Sequence, residues 1–338
     1  MTIREIAKLA CVSPAAVSIV LNNKSGVSEE TRSRIQKIVE DHGYKTGRDN
    51  KKKSKDTLLL KFVESGMLVE ENQSFVSTII DAIGSELSLH DRRLTMHIES
   101  NTLESAIKDV DFNNFNSAIL IGTELQRELY GMLESIPIPY VVVDNSVMGV
   151  NCCSVTMDNA SNVYIALEFL RTNGHSQIGY LKSAITTANF AERSNAFRAW
   201  VSALGFTRCE NAEFVLTPTL VGAYNDMCAA LQKGSQLPTC MFADNDTIAL
   251  GAIKALKEYG YNVPEDVSVI GIDDIPFSSI STPALTTVRV QKEMIGKAAV
   301  AQLLALENNP EYQNIKTRII GELVIRSSVS GVSGGRFS

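Results

Sequence analysis

Polar side chains follow three apolar segments of the sequence, at the points where buried strands would end. They are Asp244-Asn245-Asp246 after TCMFA, Asp273-Asp274 after VSVIGI, and Asn189 to Arg193, NFAER, in the loop after IGYL. In parallel sheets, ligands bind beyond the carboxyl ends of the strands. Carboxylates, an amide and a guanidinium supply acceptors and donors for adjacent hydroxyls, and an aromatic face packs on the apolar side of a sugar ring. These residue types predict a site for a hydroxyl-rich ligand.

The same carboxylates raise catalysis as an alternative. Asp244 with Asp246, or Asp273 with Asp274, has the composition of a Mg²⁺ site or of the acid and base pair of a glycoside hydrolase. Neighbouring aspartates in a loop point in different directions, however, and no nucleophile motif such as GxSxG or HExxH accompanies them. The four histidines and six cysteines show no metal-ligand spacing. A binding protein without cofactor or metal is therefore favoured over an enzyme.

The elements that must position these groups alternate between strands and helices from residue 57 onward. Continuous apolar runs separated by helical patterns predict an α/β fold whose parallel sheets are buried on both faces. The length of this region implies two lobes, the first beginning near Thr57 and the second near Asn162. The runs are TLLLKFV (57–63), LTMHI (94–98), SAILI (117–121), YVVV (140–143), IGYL (178–181), TCMFA (239–243) and VSVIG (267–271).

Composition and charge indicate a partner for the amino-terminal part. The 338 residues are 44% hydrophobic and 21% charged, which is typical of a chain that buries a sizeable core. Neither a run of eighteen apolar residues nor a signal-peptide pattern occurs, which predicts a cytoplasmic protein with no membrane contact. Residues 1–56 carry a net charge of +5, whereas the remainder carries −11. A basic head on an acidic protein indicates contact with nucleic acid or another anionic surface.

The basic head carries the signals of three short helices, an all-α unit. Thr2 with Glu5 has the form of a capping box, Ser13 and Pro14 suit the start of a second helix, and Ser28 can cap a third. Only three residues separate the first two helices. This spacing predicts a helix-turn-helix, whose second helix enters the DNA major groove.

The second predicted helix exposes small side chains, chiefly Ala15, Ala16 and Ser18. Small residues let the helix backbone approach the groove, alanine can contact a thymine methyl, and serine can bond a base edge or a phosphate. The alternative is a small three-helix packing module without a DNA role. The residues of this helix alone leave both interpretations open.

The head is similar to a known family. Residues 1–46, through TIREIAKLACVSPAAVSIVLN, GVSEETRSRI and GY, resemble the headpiece of the lactose-repressor and galactose-repressor family of bacterial transcription regulators. The similarity continues to the end of the chain. It implies a two-lobed, periplasmic-binding-protein-like domain, and a homodimeric regulator, a repressor, that binds a pseudo-palindromic operator. A small-molecule effector, a sugar or sugar derivative, is implied to control it, and the alternative is a sugar-binding protein that does not bind DNA.

The resemblance also assigns DNA contacts. Facing the bases are Pro14, Ala15 and Ser18, and near phosphates are Thr2, Ser13, Asn22 and Ser28. Where the family most often has arginine, this chain has Ile19, which removes the side chain best suited to bind guanine bidentately. The operator sequence is therefore expected to differ.

The effector contacts are assigned in the same way. NFAER, DNDTIALGA and VIGIDDIP resemble the effector-pocket motifs of the family, which implies that Arg193, Asn245 and Asp273 contact the effector. Asp144, which directly follows YVVV, is a fourth candidate.

Several residues near these motifs have a structural alternative. Phe75 and Phe190 are candidates for walls of the pocket, with a core position as the alternative. An ion pair between Arg193 and a carboxylate such as Glu192 at the surface is the alternative to an effector contact. Asp246 and Asp274 are expected to cap helices.

The segment that joins head and lobes departs most from the family. Most members have a hinge helix with a leucine wedge there, but residues 47–56 contain no Leu, Ile, Phe or Met. A flexible basic linker is predicted, in which Lys51, Lys52, Lys53 and Lys55 contact phosphates without reading sequence; the alternative is a solvated tether. The expected domains are a headpiece (1–46), this linker (47–56), an effector-binding and dimerisation domain (57–330) and a flexible tail (331–338).

Overall fold

The computed structural model describes residues 2–21, 26–41, 56–62, 73–99 and 102–332. The chain forms two units, which divide between Lys55 and Asp56. Each unit has a hydrophobic core of its own.

Three helices make up the described part of the first unit. They are α1 (Ile3–Leu9), α2 (Pro14–Leu21) and α3 (Glu29–Asp41). Thr2 and Glu5 form the predicted capping box, in which the Thr2 amide donates to Glu5 Oε2 at 2.7 Å. Ser13 Oγ and Ser28 Oγ each accept the amide three residues ahead, at 3.2 and 3.3 Å. The predicted helix starts are therefore confirmed.

A small cluster of buried side chains holds the three helices together. It consists of Ile6, Ala7, Ala10, Val17, Val20 and Ile35. A unit whose described residues supply so few buried side chains has little hydrophobic stabilisation to oppose the entropy of the unfolded chain. The headpiece is therefore expected to be sensitive to every one of them.

The second unit is built on two sheets, each of six strands in the described residues. The first has the order β11-β5-β4-β3-β1-β2 and is parallel throughout; the second has the order β12-β10-β9-β8-β6-β7 and is parallel except for β12. The strands are β1 (Asp56–Phe62), β2 (Arg93–Glu99), β3 (Ser117–Ile121), β4 (Tyr140–Val143), β5 (Cys153–Met157), β6 (Gln177–Ser183), β7 (Thr207–Leu216), β8 (Cys240–Ala243), β9 (Ser268–Asp273), β10 (Thr286–Arg289), β11 (Lys316–Ile319) and β12 (Glu322–Val324).

Helices cover these sheets and complete two lobes. Lobe 1 holds the first sheet and lobe 2 the second. The helices are α4 (Gln73–Leu89), α5 (Leu103–Lys108), α6 (Asn159–Thr172), α7 (Ala188–Ala203), α8 (Leu220–Gln232), α9 (Asp246–Glu258), α10 (Pro276–Ile280) and α11 (Lys292–Asn308), with 3-10 turns at Phe112–Asn114, Arg127–Ser135 and Pro310–Tyr312. Helix α11 follows lobe 2 in sequence but packs against α4 and the first sheet, so lobe 1 is completed by the end of the chain.

The chain crosses between the lobes three times, after β5, after β10 and after β11. Gly321 lies on the third crossing, and its amide donates to Asn162 Oδ1 at 2.7 Å. A Cβ on Gly321 would come within 2.6 Å of the Arg289 carbonyl oxygen and 2.8 Å of Asn162 Oδ1. Only glycine lets the three crossings approach this closely.

The α/β fold and the two lobes predicted from the sequence are confirmed, and each of the seven predicted strand segments contains a strand. Strand β5 and the strands β7, β10, β11 and β12 were not predicted. At the carboxyl end, the Val332 amide donates to the Asn173 carbonyl at 2.9 Å. The rest of the predicted tail, from 333, lies outside the described residues, as does the predicted linker up to Lys55.

Candidate functional site

The predicted DNA-reading face is the side of α2 that points away from the headpiece core. Val17 and Val20 are buried, at 0% and 4% exposure, and fix the rotation of the helix. Ala15 lies on the opposite side and is exposed, with Ser18 and Ile19 partly exposed beside it. Small and uncharged groups therefore occupy the face that a helix-turn-helix presents to the major groove.

The predicted phosphate contacts of the head are helix caps. Thr2, Ser13 and Ser28 are all exposed, and each accepts a backbone amide of its own helix. Ser28 also donates its hydroxyl proton to Thr31 Oγ1 at 2.9 Å. Pro14 is exposed at the first position of α2. The other predicted DNA contacts fall outside the described residues: Asn22, Lys51, Lys52 and Lys53.

A cavity of about 40 Å³ lies between the lobes, at the carboxyl ends of the strands. The structure brings together around it all six side chains predicted to meet the effector, namely Phe75, Asp144, Phe190, Arg193, Asn245 and Asp273. They come from both lobes, because strands of both parallel sheets end at this cleft. Their roles toward a ligand remain predictions.

Arg193 lines this cavity, with only 2% of its surface exposed. Its Nη2 pairs with Asp273 Oδ1 at 3.1 Å, its Nε donates to Asn159 Oδ1 at 2.9 Å, and its Nη1 donates to the Asp244 carbonyl oxygen. Glu192 forms its ion pair with another arginine. The guanidinium is thus a buried, fixed donor and not part of a surface ion pair.

Asp144 joins the two lobes across the cleft. Thr123 Oγ1 donates to its Oδ2 at 2.6 Å, and Asn189 Nδ2, on α7 of lobe 2, donates to its Oδ1 at 3.0 Å. Burial raises the pKa of Asp144 to about 6, although these hydrogen bonds favour the charged form. Its φ of +65° places it in the left-handed region, a strained backbone typical of ligand sites.

Asp273 and Asn245 approach the cavity from lobe 2. Asp273 has a φ of +122°, and burial raises the pKa of its carboxyl while the Arg193 charge opposes that rise. Asn245 Oδ1 caps α9 by accepting the Ile248 amide at 2.9 Å. This cap uses only the oxygen of the side chain, so the Asn245 amide nitrogen is the group suited to donate to a ligand.

The expectation that Asp246 and Asp274 cap helices is wrong. Asp246 accepts the hydroxyls of Ser278 and Thr287 at 2.6 Å each, inside lobe 2. Asp274 pairs with two arginines at 2.6 and 2.8 Å; burial opposes its ionisation, but these partners hold its pKa below the usual range. The cap of α9 is the residue one position earlier, Asn245.

Phe75 and Phe190 are both walls of the cavity and buried residues, at 6% and 8% exposure. Lys292 Nζ lies 5.4 Å from the Phe75 ring centre, and Arg193 Cζ lies 5.9 Å from that of Phe190. The two roles considered for these rings are therefore compatible. Each ring also positions a cation near the cavity.

Further lining residues were not assigned a role from the sequence. They are Val76, Thr123, Met157, Thr187 and Asn189. Thr123 closely follows β3, so the rule that identified Asp144 after β4 would also have found it. Asn189 stands in the NFAER motif, but nothing in its residue type distinguishes it there from a surface polar group.

Three of the four carboxylates that suggested catalysis, Asp244, Asp246 and Asp274, are bonded to structural partners. Asp244 accepts the Ser183 amide at 2.7 Å and the Tyr180 hydroxyl, and burial raises its pKa to about 6. Asp244 and Asp246 therefore bond to different groups and do not act as a pair.

Among the described residues, no group of three or more His, Cys, Asp or Glu side chains is arranged to hold a metal ion. In the same part of the chain, no helix is both long and apolar enough to cross a bilayer.

Comparison with known proteins identifies both regions of the chain. Residues 2–47 match the model of bacterial regulatory proteins of the lacI family, and residues 167–329 match a periplasmic binding protein-like domain. The chain is 31% identical to the HTH-type transcriptional regulator GalS of Salmonella typhimurium, over 91% of this chain and 89% of that protein. It is 28% identical to the HTH-type transcriptional repressor PurR of Vibrio vulnificus, over 98% and 99% of the two chains.

Solved structures share the fold along almost the whole chain. The Lac repressor dimer bound to operator and the anti-inducer ONPF superposes with a TM-score of 0.73 at 23% identity, over 98% of this chain and 99% of that one. The transcriptional regulator CelR in complex with cellobiose gives 0.72 at 22% identity, over 97% and 99%. The 31% identity to GalS along most of both chains, together with the match to the family model, shows that the chain belongs to the lacI family of bacterial regulatory proteins, and that it is a DNA-binding transcriptional regulator and not an enzyme.

Proposed function

We propose that the cleft binds a carbohydrate, a sugar or sugar derivative, and that this effector controls repression at an operator. The observation that carries the proposal is the convergence of two carboxylates, a guanidinium, an amide and two phenyl rings on one cavity between the lobes. The carboxylates accept from hydroxyls, the guanidinium and the amide donate to them, and the rings cover the apolar face of a sugar.

A purine base is the second candidate, because relatives that match nearly the whole chain are named PurR. A purine offers few N–H donors, whereas each hydroxyl of a sugar both donates and accepts. Ionised carboxylates only accept. The presence of Asp144 and Asp273 in one cavity therefore favours the ligand that is richer in donors.

The size of the cavity supports control by movement of the lobes. About 40 Å³ holds only a few water molecules, so a sugar must displace lining groups or separate the lobes. The hydrogen bond from Asn189 to Asp144 spans the cleft, and a ligand hydroxyl that bonds Asp144 competes with it. An effector controls the protein only by binding one arrangement of the lobes better than the other.

A dimer is proposed because one edge of the first sheet carries exposed apolar side chains. Met96 and Ile98, on the edge strand β2, are 45% and 57% exposed. An exposed edge strand with apolar side chains is a template for pairing with another chain. A second copy of this protein is the proposed occupant, which would present two headpieces to one operator.

Thermal unfolding of the full chain tests the effector class, with cellobiose, galactose and ribose against hypoxanthine and guanine. A ligand present at 100 times its Kd stabilises the folded protein by about 2.7 kcal/mol, and this stabilisation is measured as a clear rise in Tm. Asp144→Asn should abolish the response to the sugar, whereas Asp109→Asn, an exposed site on lobe 1, should preserve it. A rise with a purine and with none of the sugars would overturn the carbohydrate proposal in favour of the second candidate.

Footprinting on the fragment upstream of its own gene tests the dimer. Two protected half-sites are expected, with centres one helical turn apart, roughly 10 bp. Full occupancy of one isolated half-site by a monomer would contradict the dimer. Failure to bind that fragment or any other genomic operator would contradict the DNA-binding function.

Replacing Lys51, Lys52, Lys53 and Lys55 by glutamine should weaken binding to all DNA sequences about equally. Eight lysine-phosphate contacts in a dimer would contribute about −7 to the slope of log K against log salt, an upper bound on the change. The slope is measured by fluorescence anisotropy at several salt concentrations. A charge-matched control replaces Lys108, Lys233, Lys254 and Lys297 of the second unit and should leave the slope unchanged.

An unchanged slope in the linker variant would show that residues 47–56 are a solvated tether. Selective loss of preference at the central base pairs would show instead that this segment reads sequence.

A further inference from the structure

The outward face of α2 differs from the rest of the headpiece in having no charged side chain. The helix reads PAAVSIVL, and the described basic residues of the headpiece, Arg4, Lys8, Arg32, Arg34 and Lys37, all lie on α1 and α3. Basic groups are therefore available for phosphates elsewhere in the head. None on α2 can form the bidentate hydrogen bonds by which arginine or lysine recognises guanine.

Ile19 is the largest group on this outward face. Successive residues of a helix are 100° apart, so burial of Val17 and Val20 turns Ala15, Ser18 and Ile19 away from the core. A branched apolar side chain remains partly exposed there. Its exposed surface adds no hydrophobic stabilisation to the free headpiece.

Gly26 lies next to Ile19 in the headpiece. A Cβ on Gly26 would lie 3.7 Å from Ile19 Cδ1 and 4.0 Å from its Cγ2, so the isoleucine is next to this glycine. Gly26 has a φ of +131°, which favours glycine over any residue with a side chain. Gly26 therefore contributes no side chain to the surroundings of Ile19.

The major groove offers one apolar group, the C5-methyl of thymine. We infer that Ile19, together with Ala15, recognises thymine methyl groups in each operator half-site, so that sequence preference at these positions depends on apolar contact and not on guanine. This inference rests on the DNA-binding function and specifies what the recognition helix reads.

Thymine-to-deoxyuridine replacement tests the inference, because it removes the methyl and leaves Watson–Crick pairing intact. An operator is first selected from random DNA with the full-length protein, and each thymine of both half-sites is then replaced in turn. Loss of one buried methyl should weaken binding roughly fourfold, and symmetric loss in both half-sites roughly fifteenfold. Deoxyuridine in the flanking DNA is the matched control and should have no effect.

Variants of Ile19 identify the side chain responsible. Ile19→Ala should bind the thymine and deoxyuridine operators with nearly equal affinity, and Ile19→Val should keep part of the difference. Circular dichroism of each variant shows that the headpiece is folded. Renewed selection with Ile19→Arg should yield guanine at the methyl-sensitive position.

Two results would overturn the inference. One is an operator in which no thymine of either half-site is sensitive to loss of its methyl. The other is methyl sensitivity that is unchanged in Ile19→Ala. If no operator at all were recovered from the selection, the DNA-binding function itself would fall, and this inference with it.

Discussion

Arg193→Ala is expected to abolish the response to effector while operator affinity stays nearly unchanged. The side chain is a buried donor of the cavity, and loss of a charged hydrogen-bonding group weakens effector binding by about 1.5 to 3 kcal/mol, tenfold to a hundredfold. Asp273 would also lose its buried partner, which lowers the free energy of unfolding of the second unit by about 3 to 5 kcal/mol. Calorimetry with the effector and anisotropy with the operator measure the two affinities.

Two further variants separate binding from stability. Arg198→Ala changes an exposed arginine on the same helix. It should change neither the effector affinity nor the stability of the second unit. Arg193→Lys keeps the charge beside Asp273 but loses the planar fork, so it should be more stable than Arg193→Ala and still bind effector poorly. Unchanged effector affinity in Arg193→Ala would remove this residue from the binding site.

Ile35→Ala is expected to eliminate operator binding while effector binding persists. Ile35 is completely buried in the small headpiece core, and truncation of such a side chain costs about 2 to 5 kcal/mol. Domains of this size rarely have more than about 3 to 5 kcal/mol of stability, so most headpieces should be unfolded. The second unit has a separate core and should be unaffected.

Gln36→Ala is the matched control, because Gln36 is the exposed neighbour of Ile35 on α3. It should retain operator binding and the helical signal of the headpiece. Scanning calorimetry of the full chain should show loss of the headpiece transition in Ile35→Ala alone. Operator binding at the original affinity in Ile35→Ala would mean that the headpiece tolerates a cavity at its centre.

Much of the pocket could be predicted from the sequence, because its residues follow apolar runs directly. Asp144 comes after YVVV, and Asn245 and Asp273 lie at the ends of β8 and β9. Parallel strands bring such positions to one edge of a sheet, whatever their separation along the chain. Arg193 differs, since it lies on a helix after the loop that follows β6, and its buried partners Asn159, Asp244 and Asp273 are distant from it in the sequence.

The sequence did not predict β5 because polar residues interrupt its apolar pattern. Ser154 and Thr156 are each only 1% exposed, since the strand lies between β4 and β11 and is covered on both faces. A search for continuous apolar runs misses such a strand. The confusion of Asn245 with Asp246 has a similar origin, because both are short polar residues at a strand-to-helix junction and a shift of one position decides which is the cap.

The order in which the chain visits the two lobes has a consequence for its folding during synthesis. Most of lobe 2 is one continuous stretch between β5 and α11, whereas lobe 1 needs α11 and β11, which the ribosome makes after that stretch; strand β12 then completes lobe 2. At about 5 to 20 residues per second, the roughly 130 residues of lobe 2 delay completion of lobe 1 by on the order of ten seconds. During this interval the nascent chain already has a complete headpiece but no finished cleft. Operator binding by a dimer and the response to an effector both need a finished lobe 1, so both wait for the last segments of the chain.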